Sequence, residues 1–169
     1  MSLSVKVDFD AFYRDTSRRL MRYAYGLTGD PGEAQDLVQE AYARAWQRWR
    51  KVSGYEDPEA WLRLIVNRLS TDRWRRVFVR RSHAAAQQPA AFVPPPSEDV
   101  VLLVRAMRTL PPAHRQALAL HYLLDRSIAE IAEETGATIS TVKSWLFRGR
   151  AGLAAALGLD DPEGVRRVR

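Results

Sequence analysis

Five residues toward the end of the chain, Thr141, Lys143, Ser144, Phe147 and Arg148, bring hydroxyls, cations and an aromatic ring together within "TVKSWLFRGR". Such groups recognise rather than react. They suit the major groove of DNA, where hydroxyls and cations meet phosphates and base edges and apolar atoms touch thymine methyls. A second set lies upstream: Arg63, Asn67, Arg68 and Thr71 lead into "RWRRVFVRR", where Arg73, Trp74, Arg75 and Arg76 open a run of five arginines with no acid. Guanidinium groups hold phosphates while aromatic faces replace the stacking that an unpaired base loses, so this mixture suits single-stranded or opening DNA. The plainer reading of each set is structural. The first is then the solvated face of an amphipathic helix, and in the second Trp74 and Phe78 are core residues beside solubilising arginines.

Bond-making chemistry has little to work with. There is no cysteine, which excludes disulfides, thiolate zinc sites and cysteine nucleophiles. The three histidines, His83, His114 and His121, form no metal-ligand pair at helical spacing, so no metal, no cofactor and no enzymatic activity are expected. A net charge of +6 on 169 residues favours phosphate backbones or acidic surfaces as partners. The N-terminus carries acids where a secretory peptide needs an apolar core, and no run approaches the roughly 20 apolar residues of a membrane span. A cytoplasmic protein without a membrane partner is expected.

The elements that must position these residues are helices, because apolar residues recur at three and four and no long run alternates. Phe12, Thr16, Leu20, Tyr23, Ala24 and Leu27 make one stripe, ending at "TGD". Asp30 then supplies an N-cap, Pro31 the first helical position and Glu33 an early acid, opening a helix that turns Val38, Ala41, Tyr42, Ala45 and Trp49 inward. Its other side carries Asp36, Gln39 and Glu40, by themselves an ordinary wet face. Asp57 and Pro58 repeat the device and start a helix at about Ala60, with Trp61, Leu64, Ile65 and Leu69 as its expected buried side.

From Ser82 the composition shifts to "SHAAAQQPAAFVPPPSED", a linker by its alanines and prolines. A second helical cluster follows, divided at Pro111-Pro112 and at Gly136. Ala132 lies four residues before Gly136 and Val142 six after it, the spacing of a helix-turn-helix. Thr138 caps the second helix of the pair, and Ile139, Val142, Leu146, Leu153 and Leu157 are its expected inner stripe. The fold class is therefore all-α, two small helical domains on a flexible linker: 8–81, linker 82–97, 98–158, and a tail 159–169.

With both modules in view the chain resembles the extracytoplasmic-function (ECF) sigma factors, the small two-domain type of bacterial transcription initiation subunit. "DLVQEAYARAW" resembles the helix that docks on the clamp coiled coil of RNA polymerase, and "WLRLIVNRLSTDRWRR" the segment that reads and opens the minus-ten promoter element. "LPPAHRQALALHYLLDRSIAEIAEETGATISTVKSWLFRGRAGL" resembles the region that meets the polymerase flap and reads the minus-thirty-five element. The resemblance implies a fold of two helical domains and a non-enzymatic role: binding core RNA polymerase and directing it to a two-part promoter. Asp36, Gln39 and Glu40 become polymerase contacts, and Asn67 or Arg68 sits by the pocket for a flipped base. Arg73, Arg75 and Arg76 hold the backbone of the opening duplex, and Lys143, Ser144, Phe147 and Arg148 form the major-groove set. Promoter DNA, core polymerase and an anti-sigma protein are the implied partners. The alternative is a helix-turn-helix regulator that binds duplex DNA without polymerase.

Overall fold

The computed structural model describes residues 3–79 and 97–159, with side chains from Asp8 to Arg76 and from Ser97 to Leu159. Phe78, the arginines at 80 and 81, nearly all of the expected linker and the tail beyond Leu159 lie outside the described side chains. Among the described residues there are helices and no strands. The chain divides into two compact units, Met1–Val93 and Pro94–Arg169.

The first unit holds α1 (Leu3–Thr28), α2 (Pro31–Gln47), the single turn α3 (Trp49–Val52) and α4 (Pro58–Val79). α1, α2 and α4 pack on one another as a three-helix bundle. Its core comes from residues spaced at three and four: Leu20, Tyr23, Ala24 and Leu27 of α1, Leu37, Val38, Ala41 and Ala45 of α2, and Leu62, Ile65 and Val66 of α4. Gly29 takes a φ of 70°, which ends α1 and lets the chain reverse. Asp30 then accepts a 2.8 Å hydrogen bond from the Glu33 backbone N–H, the cap that the sequence led one to expect. Between α1 and α2 the Thr16 and Tyr42 hydroxyls share a buried 2.7 Å hydrogen bond. Burial pushes the Tyr42 hydroxyl up to about 12, with the Thr16 hydrogen bond working against it.

α4 corrects two expectations. Its buried residues are Leu62, Ile65 and Val66, with Trp61, Leu64 and Leu69 only half-buried. Positions 61, 62, 64, 65, 66 and 69 are all apolar, so the stripe has no sharp edge and periodicity alone leaves its centre undetermined by about one residue. Burial of Arg63 settles that centre. Its side chain is 2% exposed and reaches Asp57 at 3.3 Å and Glu59 at 3.4 Å, so this arginine is structural and is withdrawn from the DNA-contacting set. Arg19 of α1 grips the same Glu59 in bidentate fashion at 2.7 and 3.1 Å. Asp57 meanwhile caps α4 by accepting from the Ala60 N–H at 2.8 Å. A chain of alternating charges thus pins the start of α4 against α1.

The second unit holds α5 (Glu98–Met107), α6 (Pro112–Leu118), α7 (Ile128–Thr135) and α8 (Ile139–Ala156), with a π-helical turn, Ala119–Leu123, prolonging α6. Met107, Leu110, Leu118, Leu120, Ile131, Val142 and Leu146 fill its core. The buried Arg115 donates to the carbonyls of Arg108 and Leu110 at 3.1 and 3.0 Å and so closes the α5–α6 turn. α8 approaches α6 at Gly149 and the α5–α6 turn at Gly152. A methyl group at Gly149 would stand 3.0 Å from Leu118 Cδ1, and one at Gly152 2.6 Å from Leu110 Cδ2, so hydrogen side chains permit the approach. Ile139, expected on the inner stripe, is 52% exposed, because as the first helical residue it precedes Val142, where α8 first meets the body of the unit.

Candidate nucleic-acid interface

In the second unit Ser127 and Glu130 form a reciprocal capping box that starts α7: Glu130 N–H donates to Ser127 Oγ at 3.2 Å, and Ser127 N–H to Glu130 at 2.8 Å. Hydrogen bonds from the Ser127 backbone N–H and side chain, with help from Arg126, hold the Glu130 carboxyl down at about 2. Gly136 ends α7 at a φ of 71°, and Thr138 caps α8 by accepting from the Thr141 N–H at 3.1 Å. The result is a helix-turn-helix in which α8 is the candidate reading helix.

The outward side of α8 gathers Ser140, Ser144, Phe147 and Arg148, flanked by Lys143. Phe147 is 59% exposed, far more than any packing role would leave it. Thr141 departs from the others, since its hydroxyl shares a 2.8 Å hydrogen bond with Thr138 Oγ1 and serves the cap. Ser140 is an addition: it is exposed on the same face, and its adjacency to the cap was the signal that could have found it. Arg150, two turns beyond Lys143 on the same flank, donates to the exposed Tyr122 hydroxyl at 3.3 Å. His114 is held below its ordinary value, first by burial and then by the charge of Arg148.

In the first unit the residues of α4 divide by angle. At about 100° per residue, Asn67, Thr71, Trp74 and Arg75 fall on one stripe beside the buried one, with Asn67 and Thr71 half-buried and Trp74 and Arg75 exposed. Trp74 is 41% exposed there, and the Thr71 hydroxyl is turned back to the Asn67 carbonyl at 2.9 Å. Arg68, Asp72, Arg73 and Arg76 fall on the neighbouring stripe. They face α2 across an open groove of about 610 Å³, whose opposite wall is Asp36, Gln39, Glu40 and Arg44. Arg73 reaches Asp36 at 3.8 Å across it, and Arg44 pairs with Glu40 along α2 at 2.7 Å. Among the described residues no group of His, Asp and Glu is placed to hold a metal ion, and no helix is long and apolar enough to cross a membrane.

Comparison with known proteins follows the same division. The sigma-70 region 2 family model matches residues 12–77, and the sigma-70 region 4 model matches residues 101–153. An RNA polymerase sigma-E factor of Streptomyces antibioticus is 33% identical over 158 residues, covering 92% of this chain and 87% of that protein. An ECF RNA polymerase sigma factor, SigK of Mycobacterium sp. (strain KMS), is 30% identical and covers 89% of this chain and 83% of its own. Among solved structures, the sigma factor RpoE of Bartonella quintana, crystallised with the anti-sigma factor NepR, is similar with a TM-score of 0.67 at 23% identity, over 89% of this chain and 99% of that one. CnrH, solved with the cytosolic domain of CnrY, gives 0.62 at 21% identity, over 92% and 91%. At those identities the two structures speak for the fold. Two family models in order along the chain, and relatives at 30% identity or more over most of its length, lead to one assignment: the chain belongs to the ECF sigma factors, the subunits with which RNA polymerase begins transcription.

Proposed function

We propose that the two units divide promoter recognition between them and that α2 attaches both to core RNA polymerase. α8 reads the minus-thirty-five element through Ser140, Lys143, Ser144, Phe147 and Arg148, and the Trp74 stripe of α4 reads and holds open the minus-ten element. On that stripe Trp74 stacks on an exposed base, Arg75 holds the backbone and Asn67 lies where a flipped base is read. Asp36, Gln39 and Glu40 meet the clamp coiled coil, as an acid and amide face suits a basic partner. Strand separation then draws on binding free energy, and the chain performs no bond chemistry of its own. It works in the cytoplasm, beside the polymerase and the DNA. A separate anti-sigma protein is its regulatory partner.

The observation that supports this reading is the stripe of α4 on which an exposed tryptophan and an exposed arginine stand beside a half-buried amide. The test is initiation in vitro with core polymerase, with and without the protein, on a library of promoter-length duplexes with sequenced transcript starts. New starts downstream of a shared two-part motif are expected. Retention of duplex by the protein alone at symmetric sites, with no new starts, overturns the proposal in favour of a helix-turn-helix regulator.

A further inference from the structure

The groove between α2 and α4 mixes its charges. α2 contributes Asp36 and Glu40, the latter paired with Arg44 on the same wall, and α4 contributes Asp72 with Arg68, Arg73 and Arg76. A phosphate backbone entering there would face three carboxylates within a Debye length, about 8 Å at physiological salt, and so would lose much of what the arginines offer. One of those arginines is already turned toward an acid, with Arg73 3.8 Å from Asp36. The Trp74 stripe, by contrast, presents Asn67, Thr71, Trp74 and Arg75 with no acid among them.

We infer that Arg68, Arg73 and Arg76 belong to the polymerase-docking surface and not to the DNA-holding one. The inference rests on the docking reading of α2 and extends it: a helix seated against Asp36 and Glu40 also meets the α4 wall of the groove. An α-helix with its side chains is about 10 Å across, too broad to touch one wall of an open groove alone. The partner segment that fits is helical and carries both signs of charge, bases toward α2 and acids toward Arg68 and Arg76. Docking also takes Asp36 away from Arg73, so an acidic group of the polymerase replaces that carboxylate. α4 is then read from two sides at once, protein on one stripe and opened DNA on the next.

The test compares variants of the full chain on the two surfaces. Arg68→Gln/Arg76→Gln removes two cations from the groove, while Arg75→Gln and Trp74→Ala alter the Trp74 stripe; all four side chains are exposed. Affinity for core RNA polymerase is measured without DNA, across a salt series, and open-complex formation is measured separately at saturating protein. The groove variant is expected to bind core about fivefold more weakly at low salt, mainly through slower association, with the difference shrinking as salt rises. The Trp74-stripe variants are expected to bind core as the wild type does and to lose open complexes. If the groove variant binds core normally but forms fewer open complexes, its arginines hold DNA and the inference is wrong. If the wild-type chain itself does not bind core, the docking proposal fails together with it, so the two failures are told apart by the wild-type measurement.

Discussion

Replacing Arg63 by methionine tests whether this arginine holds the bundle or the promoter. Methionine keeps much of the aliphatic stem and removes the guanidinium, so the loss is chiefly the contacts to Asp57 at 3.3 Å and Glu59 at 3.4 Å. Removing one member of a buried ion pair costs about 3–5 kcal/mol when the other is left uncompensated. Here neither acid is abandoned. Glu59 retains Arg19 at 2.7 Å, and the Asp57 side chain is 44% exposed to water. The expected loss is therefore below that range, about 2 kcal/mol, comparable to one hydrogen bond to a charged group. Urea unfolding followed by tryptophan fluorescence reports mainly on the first unit, because Trp46, Trp49, Trp61 and Trp74 lie there and only Trp145 in the second. With a urea dependence of about 1 kcal/mol per M for a unit this small, the midpoint should fall by about 2 M. Promoter binding by holoenzyme, measured where the variant is still folded, should be unchanged. An unshifted midpoint with weakened promoter binding would refute the structural role.

Phe147→Ala should leave the melting temperature nearly unchanged, since the ring is 59% exposed, yet weaken holoenzyme binding to duplex carrying the minus-thirty-five element by roughly 1 kcal/mol or more. Gly136→Ala should destabilise the second unit by about 1–2 kcal/mol in thermal unfolding, because φ of 71° disfavours a side chain even though nothing within 4 Å obstructs it. His114 titrates below its ordinary 6.5 when folded, so the unfolded chain takes up its proton first. Its contribution is complete above about pH 6.5 and declines as the pH falls through that value toward the lower folded one. Amide hydrogen exchange of α6 and α8 followed from pH 7.5 to 5 should show this decline, and His114→Gln should flatten it.

The helix boundaries that the sequence announced were those with a local chemical signal. Asp30-Pro31 and Thr138 cap the helices expected of them, and Gly136 makes the turn between α7 and α8. The inward face of α4 was harder, since its apolar residues between 61 and 69 spread over about half of the helix and leave the centre of the stripe open by about one residue. Arg63 and Arg115 were beyond local reading for another reason. The first needs Glu59 together with an arginine 44 positions earlier, and the second is satisfied by main-chain carbonyls, which no residue letter encodes. The outward face of α8 was largely legible because exposure follows from helical spacing alone. The groove was not, because its two walls become neighbours only when α2 and α4 pack.

The seat of α8 on α6 separates two kinds of inheritance. Gly149 and Gly152 lie in its second half, while Ser140, Lys143 and Ser144 lie in its first, ahead of the two glycines. Val142 and Leu146 hold the inner side of that first half, so substitutions among its outward residues leave the packing untouched. If those residues read the promoter as proposed, promoter preference can drift residue by residue without the fold resisting the change. A duplicated copy of such a gene is free to acquire a new set of promoters while keeping its old architecture.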